Sequence, residues 1–206
     1  MYRRTLAIKE AAHGPDHPSS GITVNNLARV LKKKGQLEEA EEMFRRALAI
    51  DEAAYGPDHP STGITVSYLA GVLKEKGQLE EAEEMYRRVL AIDEAAHGPD
   101  HPHTGTTVNN LASVLKEKGQ LEEAEEMFRR ALAIDEAAHG PDHRETIKGR
   151  GNLGRVLMLR GEEEGDGQKA AEGRAAVEEA LRLLKAPPHS LPDGHPWVVK
   201  FSGFLA

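Results

Sequence analysis

Hydrophobic positions along this chain fall into short stripes with helical spacing. Before Gly35, the apolar residues Val24, Leu27, Ala28 and Leu31 lie three or four positions apart, which places them on one face of an amphipathic helix, named helix A here. After Gly35 a second stripe predicts helix B, and its members are Leu37, Ala40, Phe44, Ala47, Leu48 and, with a looser fit, Ile50. The pattern therefore predicts a helix-turn-helix pair.

This pair recurs with a fixed period. The string Gly-Pro-Asp-His begins, at intervals of 42 residues, at Gly14, Gly56, Gly98 and Gly140. The string GQLEEAEEM, followed by an aromatic residue and two arginines, begins at Gly35, Gly77 and Gly119. A period of this length is typical of a solenoid, because one helix pair cannot bury both of its apolar faces and must stack on its neighbours.

Glycine and proline mark the helix boundaries. Gly56 suits the position just past a helix end, and Pro60 suits the first turn of the next helix, where its missing N–H is no loss. Either Asp58 or His59 is expected to cap that helix. Glycines near the start of each helix A, at about 1 kcal/mol each relative to alanine, are expected to loosen its first turn; they are Gly21, Gly63 and Gly105.

The segment LARVLKKKGQLEEAEEMFRRALAIDEAAYGPDHP, residues 27–60, resembles the tetratricopeptide repeat in its 42-residue form, found in kinesin light chains and nephrocystin-3-like proteins. The elements that carry the resemblance are the Leu-Ala pair of helix A, the glycine at the turn, Ala40, Phe44, Ala47 and the Asp-His-Pro linker. The resemblance covers nearly the whole chain. It implies an all-α fold, a right-handed α-solenoid built from antiparallel helix-turn-helix hairpins.

The repeat boundaries predict one array over residues 1–206. Residues 1–14 are helix B of a partial repeat, and three full repeats occupy 18–55, 60–97 and 102–139. A fourth repeat, 143–186, is predicted to be degenerate, since glycines dilute its helix A and its turn is lengthened at 161–167; those glycines are Gly149, Gly151 and Gly154. Residues 187–206 form a linker and either a partial helix A, as expected for a piece of a larger protein, or a cap that hides Trp197, Phe201 and Phe204.

The resemblance further implies that helix A lines a concave groove for peptides. By position, the candidate groove residues are Asn25, Arg29, Lys32, Lys33, Ser67, Lys74, Asn109, Ser113, Lys116 and Arg155. The same face of helix A also contains Ile22, Ile64, Gly71, Thr106, Lys148 and Met158. Lys32, Lys74 and Lys116 recur as a ladder, and asparagine amides can both donate to and accept from a ligand backbone. We therefore expect an acidic or carboxylate-bearing peptide. Kinesin light chains use a similar groove for cargo peptides flanked by acidic residues.

Composition narrows the function classes. The net charge of −7 argues against a general nucleic-acid binder. Without cysteine, disulfides and thiolate metal sites are excluded, and no apolar run approaches the roughly 18 residues needed to span a bilayer. We expect a cytoplasmic protein-binding scaffold with no membrane or nucleic-acid partner, no cofactor and no catalytic activity, since the carboxylates recur only as periodic surface residues.

Three alternatives accompany this interpretation. His97, His101 and His103 could hold a metal ion weakly, although His101 belongs to the recurrent linker. The open repeat ends could complete one another between molecules and produce a homo-oligomer. The acidic run that includes Glu38 and Glu41 is expected to be only the solvated start of helix B, favoured there by the helix dipole.

Overall fold

The computed structural model describes residues 2–206, and over that range it contains ten α-helices and no β-strand. The first five are α1 (Tyr2–His13), α2 (Pro18–Lys33), α3 (Leu37–Tyr55), α4 (Pro60–Glu75) and α5 (Leu79–His97). The others are α6 (Pro102–Glu117), α7 (Leu121–His139), α8 (Arg144–Glu164), α9 (Gly167–Lys185) and α10 (Pro196–Leu205). The all-α class predicted from the sequence is confirmed.

The helices form two units, Met1–Gly98 and Pro99–Ala206. In the N-terminal unit, α2 pairs with α3 and α4 with α5, while α1 packs on α2 and α3 on α4. In the C-terminal unit, α6 pairs with α7 and α8 with α9, while α7 packs on α8 and α10 on α9. Each unit is therefore a stack of helical hairpins in which sequence neighbours are also neighbours in space.

A histidine side chain caps the N-terminus of every helix that follows a histidine linker. These residues are His17, His59, His101, His143 and His195. At His59 the imidazole Nδ1 accepts a hydrogen bond of 3.0 Å from the backbone N–H of Ser61. Pro60 follows at the first helical position, as predicted. Of the two capping candidates at this boundary, the structure selects His59 rather than Asp58.

Glycine turns end the A helices of the three full repeats, α2, α4 and α6, with the same hydrogen bonds. At the end of α4, Gly77 has a φ of +77°, its N–H donates to the Lys74 carbonyl at 3.0 Å and the Gln78 N–H donates to the Leu73 carbonyl at 2.9 Å. This pair of bonds is the Schellman arrangement, which satisfies carbonyls that the helix end leaves open. Gly77 thus reverses the chain into α5.

The predicted stripes form the core, with one correction. Val66 and Leu73 of α4 are fully buried, and so is Phe44 of α3. Leu48, which the sequence placed on the helix B stripe, is only partly buried, and so is its counterpart Leu90 one repeat later. Truncation of a fully buried stripe residue to alanine costs about 2–5 kcal/mol of stability, and this loss is expected for Leu73 rather than for these two leucines.

The glycines near the helix A starts permit close packing and do not loosen the first turn. A Cβ at Gly63 would lie 3.2 Å from Cγ2 of Ile92 in α5, and at Gly21 the equivalent contact is tighter still. The same turn is held by the Thr62 hydroxyl, which donates to the Gly56 carbonyl at 2.8 Å. The expectation of loose first turns is therefore wrong, because the missing side chain makes room for an isoleucine.

The long turn predicted at 161–167 is instead mostly helix. Helix α8 runs to Glu164, and only Gly165 and Asp166 separate it from α9. Gly165 adopts the left-handed conformation, with φ of +68°, and the Asp166 carboxylate caps α9 through the backbone N–H groups of Gln168 and Lys169 at 3.0 Å. The extra residues therefore lengthen the first helix of this hairpin rather than its turn.

Glycines in the fourth hairpin bring two helix backbones together. A Cβ at Gly154 would lie 2.7 Å from the Gly173 carbonyl oxygen, and one at Gly173 would lie 2.6 Å from the Met158 nitrogen. At Gly161 an added Cβ would lie 2.8 Å from the Ala170 Cα. The prediction that glycine merely dilutes this helix is wrong for Gly154, because packing between α8 and α9 depends on its missing side chain.

Helix α10 covers part of the same hairpin. Phe201 is fully buried, and a Cβ at Gly151 would lie 2.6 Å from its ring atom Cε2. Trp197 and Phe204 are partly buried, and their rings lie 5.7 Å from that of Phe201. Gly151 therefore provides the space that admits the Phe201 ring.

The acidic start of helix B joins neighbouring hairpins in the N-terminal unit. Glu41 of α3 accepts hydrogen bonds from Lys76, at 2.7 Å, and from Arg45, at 2.8 Å. Arg45 also reaches Glu81 of α5, at 2.7 Å. The Lys76 hydrogen bond, followed by that of Arg45, lowers the pKa of Glu41. The acidic run is thus more than a solvated surface, although each partly exposed pair contributes at most about 1 kcal/mol.

Candidate functional site

In the N-terminal unit, the candidate residues on α2 line two adjoining cavities. The first, of about 260 Å³, is lined by Ile22, Asn25, Asn26, Arg29, Asp51, Tyr55, Ser61, Ile64, Thr65 and Tyr68. The second, of about 340 Å³, is lined by Arg29, Lys32, Lys33, Tyr68 and Glu75. The structure thus brings together Asn25, Arg29, Lys32 and Lys33, whereas Ser67 and Lys74 of α4 line neither cavity.

A hydrogen-bonded chain closes the floor of the first cavity. The Asn25 amide donates to the Thr65 hydroxyl at 2.5 Å, and that hydroxyl donates to the Asp51 carboxylate at 2.7 Å. Burial raises the pKa of Asp51, and the hydrogen bond from Thr65 opposes the rise. Asn25 is therefore held in place by the protein, which leaves less of its amide for a ligand than the sequence suggested.

Aromatic and apolar side chains form the wall and rim of this cavity. The Arg29 guanidinium lies 4.9 Å above the Tyr68 ring, close enough for a cation–π contact. Ile22 is 57% exposed and Ile64 is 58% exposed, and both line the same cavity, so the two apolar side chains are available together for contact with another molecule. Tyr55 is also exposed. Tyr55, Tyr68 and Asp51 were absent from the sequence-based selection, although the recurrence of Asp51 in each AIDEAA segment was a usable signal.

The lysine ladder is partly neutralised at its first position. Lys32 forms an ion pair of 3.1 Å with Glu75 of the next helix A. Lys74 and Lys116 are partly buried, and Lys33 is exposed. In this unit the positive charge facing the second cavity therefore comes from Arg29 and Lys33 together with a paired Lys32.

In the C-terminal unit, a cavity of about 320 Å³ occupies the equivalent place between α6 and α8. Its lining is Pro102, Thr106, Asn109, Asn110, Asp135, His139, Glu145, Lys148, Gly149, Asn152 and Trp197. Of the candidate residues in this unit, Asn109 lines the cavity, whereas Ser113, Lys116 and Arg155 do not. The sequence position of Met158 placed it on the groove face, and this prediction is wrong. Met158 is only 3% exposed and packs in the core cluster that includes Val177 and Phe201.

Helix α10 supplies one end of this cavity. Trp197 has the Lys148 ammonium 4.6 Å from its ring centre and the Lys200 ammonium 4.5 Å away. Lys200 also donates to Asn152 at 2.8 Å, and Arg155 lies 5.5 Å from the centre of the Phe204 ring. The A-helix face of the fourth hairpin is therefore in contact with α10, which sequence reasoning left as one of two possibilities.

Within residues 2–206, no three histidine or acidic side chains converge as metal ligands. None of the helices in residues 2–206 is both long enough and apolar enough to span a bilayer.

The comparison with protein families decides the assignment. A family model described as the tetratricopeptide repeat matches residues 1–53, 20–95, 64–137 and 106–164. The chain belongs to the tetratricopeptide repeat family. A comparison with curated proteins finds no match. Proteins of this family are scaffolds for protein–protein interaction, which confirms the general function class expected from the repeat.

Solved structures agree with this tetratricopeptide repeat assignment. A Podosopora anserina chain assigned as a kinesin light chain with nearly identical TPR-like repeats is 25% identical, with 92% of this chain and 85% of that chain covered and a TM-score of 0.71. A methionine-substituted point variant of the Podosopora anserina protein gives 24% identity, coverage of 89% and 84%, and a TM-score of 0.75. BtubC (BKLC) from P. vanneervenii gives 24% identity, coverage of 94% and 74%, and a TM-score of 0.76. The kinesin light chain-like repeat type expected from the sequence is confirmed.

Proposed function

We propose that α2 and α4 bind a segment of another polypeptide that carries carboxylate side chains beside a large apolar one. The observation that carries this proposal is the pairing of exposed Ile22 and Ile64 around one cavity with Arg29 and Lys33 around the adjoining one. Exposed apolar side chains gain free energy when a ligand covers them. A nearby guanidinium can hold a ligand carboxylate through two parallel hydrogen bonds.

The proposal assigns different roles to the residues of this surface. Ile22 and Ile64 contact the apolar side chain of the ligand, and Tyr68 supports Arg29 from below through its ring. Arg29 and Lys33 attract and orient the carboxylates, which also raises the association rate. The next lysine of the ladder in this unit, Lys74 of α4, belongs to the proposal as a contact farther along a longer ligand.

Peptide selection tests this function directly. Random and acidic peptide libraries would be panned against the full chain, and the affinity of selected peptides measured by fluorescence anisotropy. We expect Arg29→Glu and Lys33→Glu each to weaken binding at least about tenfold, which corresponds to about 1.4 kcal/mol. Ile22→Ser should weaken it as well, without changing its salt dependence.

A matched control separates local contacts from overall charge. Arg174 is exposed on α9 in the other unit, so Arg174→Glu makes the same change in net charge. Its affinity for the selected peptides should equal that of the wild type. If Arg29→Glu and Arg174→Glu weakened binding equally, the loss would reflect net charge and the proposed surface would be wrong.

Self-association through the repeat ends has one observation for it and one against it. Tyr2 and Ile8 of α1 are 41% and 61% exposed, although the equivalent residues of α3, Phe44 and Ile50, are buried. Docking of α10 on α1 as a normal hairpin would place Val199 where the other A helices have a glycine against isoleucine. Because that position has no room for a Cβ, we do not propose this assembly as the function.

A further inference from the structure

We propose that the C-terminal unit contains a second binding site, between α6 and α8, for a cationic side chain of a partner polypeptide. An arginine guanidinium fits this site best. The carboxylate of Asp135 is its main ligand, and the ring of Trp197 forms one wall of the cavity. The site goes beyond the acidic-ligand surface proposed for the N-terminal unit, and it has the opposite charge preference.

Asp135 lacks the hydrogen-bond donor that its counterpart in the N-terminal unit has. In the N-terminal unit, Asp51 receives the hydroxyl hydrogen bond of Thr65. Asp135 stands 84 positions later in the same part of the repeat, but the position equivalent to Thr65 is Gly149. No hydrogen bond or ion pair to Asp135 is formed by residues 2–206, although burial raises its pKa. A partly buried carboxylate that lacks a donor favours a ligand that brings one.

The glycine at position 149 also leaves open space beside the Asp135 carboxylate. The Cβ of a residue at position 149 would lie 3.7 Å from Asp135 Oδ2. With glycine there, the carboxylate faces a cavity of about 320 Å³ lined also by Asn109, Asn110 and Asn152. The Asn152 amide oxygen already accepts from Lys200 at 2.8 Å, and that of Asn109 accepts from Asn152 at 3.4 Å. Because an amide oxygen has two lone pairs, each of these can accept one further hydrogen bond beside the Asp135 carboxylate.

The charged residues that line the cavity favour a cationic ligand. The cavity lining contains two acidic residues, Asp135 and Glu145, and one basic residue, Lys148, which is already paired with Glu145 at 2.8 Å. The imidazoles of His139 and His143 lie near enough to Asp135 to lower its pKa electrostatically, against the rise caused by burial. A guanidinium carries five N–H donors in a planar fork, which matches the two oxygens of the Asp135 carboxylate. The Trp197 ring centre lies 4.6 Å from the Lys148 ammonium and 4.5 Å from the Lys200 ammonium, so the indole contributes to the site as its wall rather than as the main contact of the ligand.

Trp197 makes the site directly measurable, because it is the single tryptophan of the chain. The probe is the tripeptide acetyl-Ala-Arg-Ala-amide, titrated into the full chain and followed by the indole N–H resonance and by tryptophan fluorescence. The matched probe replaces arginine with citrulline, which has the same shape but no charge. We expect saturable changes with the arginine peptide and none with the citrulline peptide at the same concentrations.

Variants assign the effect to the carboxylate. Asp135→Asn should lower the affinity for the arginine peptide at least about tenfold. The matched Asp51→Asn should leave the affinity for this peptide unchanged. Gly149→Thr should also weaken it, since a hydroxyl at position 149 would satisfy Asp135 internally as Thr65 satisfies Asp51. Gly149→Ala adds a Cβ without a hydroxyl and should weaken binding less than Gly149→Thr does.

Three results would overturn the proposal: equal titrations by the arginine and citrulline peptides, an unchanged affinity in Asp135→Asn, or no saturable change in the wild type. Thermal unfolding of each variant checks that it is folded. Because Trp197 and Asp135 lie in the C-terminal unit, failure here leaves the Arg29 and Lys33 surface untouched, and failure of that surface leaves this result standing.

Discussion

The N-terminal and C-terminal units use the same repeat but pack it differently. In the N-terminal unit, leucine and alanine stripes fill the space between helices, and glycine makes room for an approaching isoleucine side chain, as at Gly63. In the C-terminal unit, α8 and α9 approach through their backbones at Gly154, Gly161 and Gly173. A repeat that departs from the common sequence is therefore not necessarily a weakly packed one.

The same comparison extends to the cavities. Thr65 satisfies Asp51 in the N-terminal unit, whereas Gly149 leaves Asp135 without a donor in the C-terminal unit. A single substitution at one repeat position changes a closed hydrogen-bonded floor into an open acidic one. Repetition of the scaffold thus allows equivalent surfaces to present different hydrogen-bonding groups without a change of fold.

The largest effect is expected from the stripe of the N-terminal unit. Leu73→Ala should lower the free energy of unfolding by about 2–5 kcal/mol, because the side chain is fully buried and its removal leaves a cavity. Leu48→Ala, at a partly buried position of the same unit, should cost clearly less. Urea unfolding followed by circular dichroism measures both, and equal losses would contradict the burial pattern.

The glycine contacts of the C-terminal unit should come next. Gly173→Ala should destabilise the protein by about 1–3 kcal/mol, because the added Cβ meets backbone atoms of α8 that cannot move aside. Gly203→Ala, on α10 with open space around its Cβ, is the control and should not destabilise. Loss of stability in both variants would indicate that helix contacts at Gly173 are not the cause.

The histidine caps should behave alike in the two units. His59→Ala and His143→Ala should each cost about 1 kcal/mol, since each removes the acceptor for one backbone N–H at a helix start. Asp is a good capping residue, so His59→Asp should restore most of the loss. Differential scanning calorimetry can compare them, and a His59→Asp variant no more stable than His59→Ala would argue against capping.

The smallest expected effect is the change in stability on replacing two glycines with alanine, which should be of opposite sign at the two positions. Gly149→Ala should raise stability by up to about 1 kcal/mol, because alanine is the better helix former and its Cβ would make ordinary contacts with Leu132. Gly21→Ala should instead lower stability, because its Cβ would lie 2.8 Å from Ile50. Thermal unfolding under identical conditions distinguishes them, and the same sign for both would refute this packing difference.

Much of the fold could be predicted because its signals are local. Apolar spacing, the glycine at Gly77 and the proline at Pro60 each determine conformation within a few residues, and the period repeats them. The A-helix location of Asn25 and Arg29 followed from the same spacing. The spacing could not show whether the Asn25 amide is available to a ligand, since its hydrogen-bond partner Thr65 lies 40 residues away in the sequence.

Tertiary contacts decided the points at which the sequence-based interpretation was wrong. Met158 is buried because α9 and α10 cover that part of α8, and a single-helix pattern contains no information about such neighbours. Gly154 and Gly63 look alike in sequence as weak helix formers, and only the atoms facing them distinguish close backbone packing from room for isoleucine.

The sequence by itself determined the helical hairpin, its period and its boundaries, because backbone preference and apolar spacing act over one or two turns. Only the tertiary structure decided which carboxylates are satisfied, which apolar side chains remain exposed and which glycines are packing contacts. Those properties depend on atoms that belong to other helices, and a change at one position, such as Thr65 to its counterpart Gly149, alters them without disturbing the helical pattern.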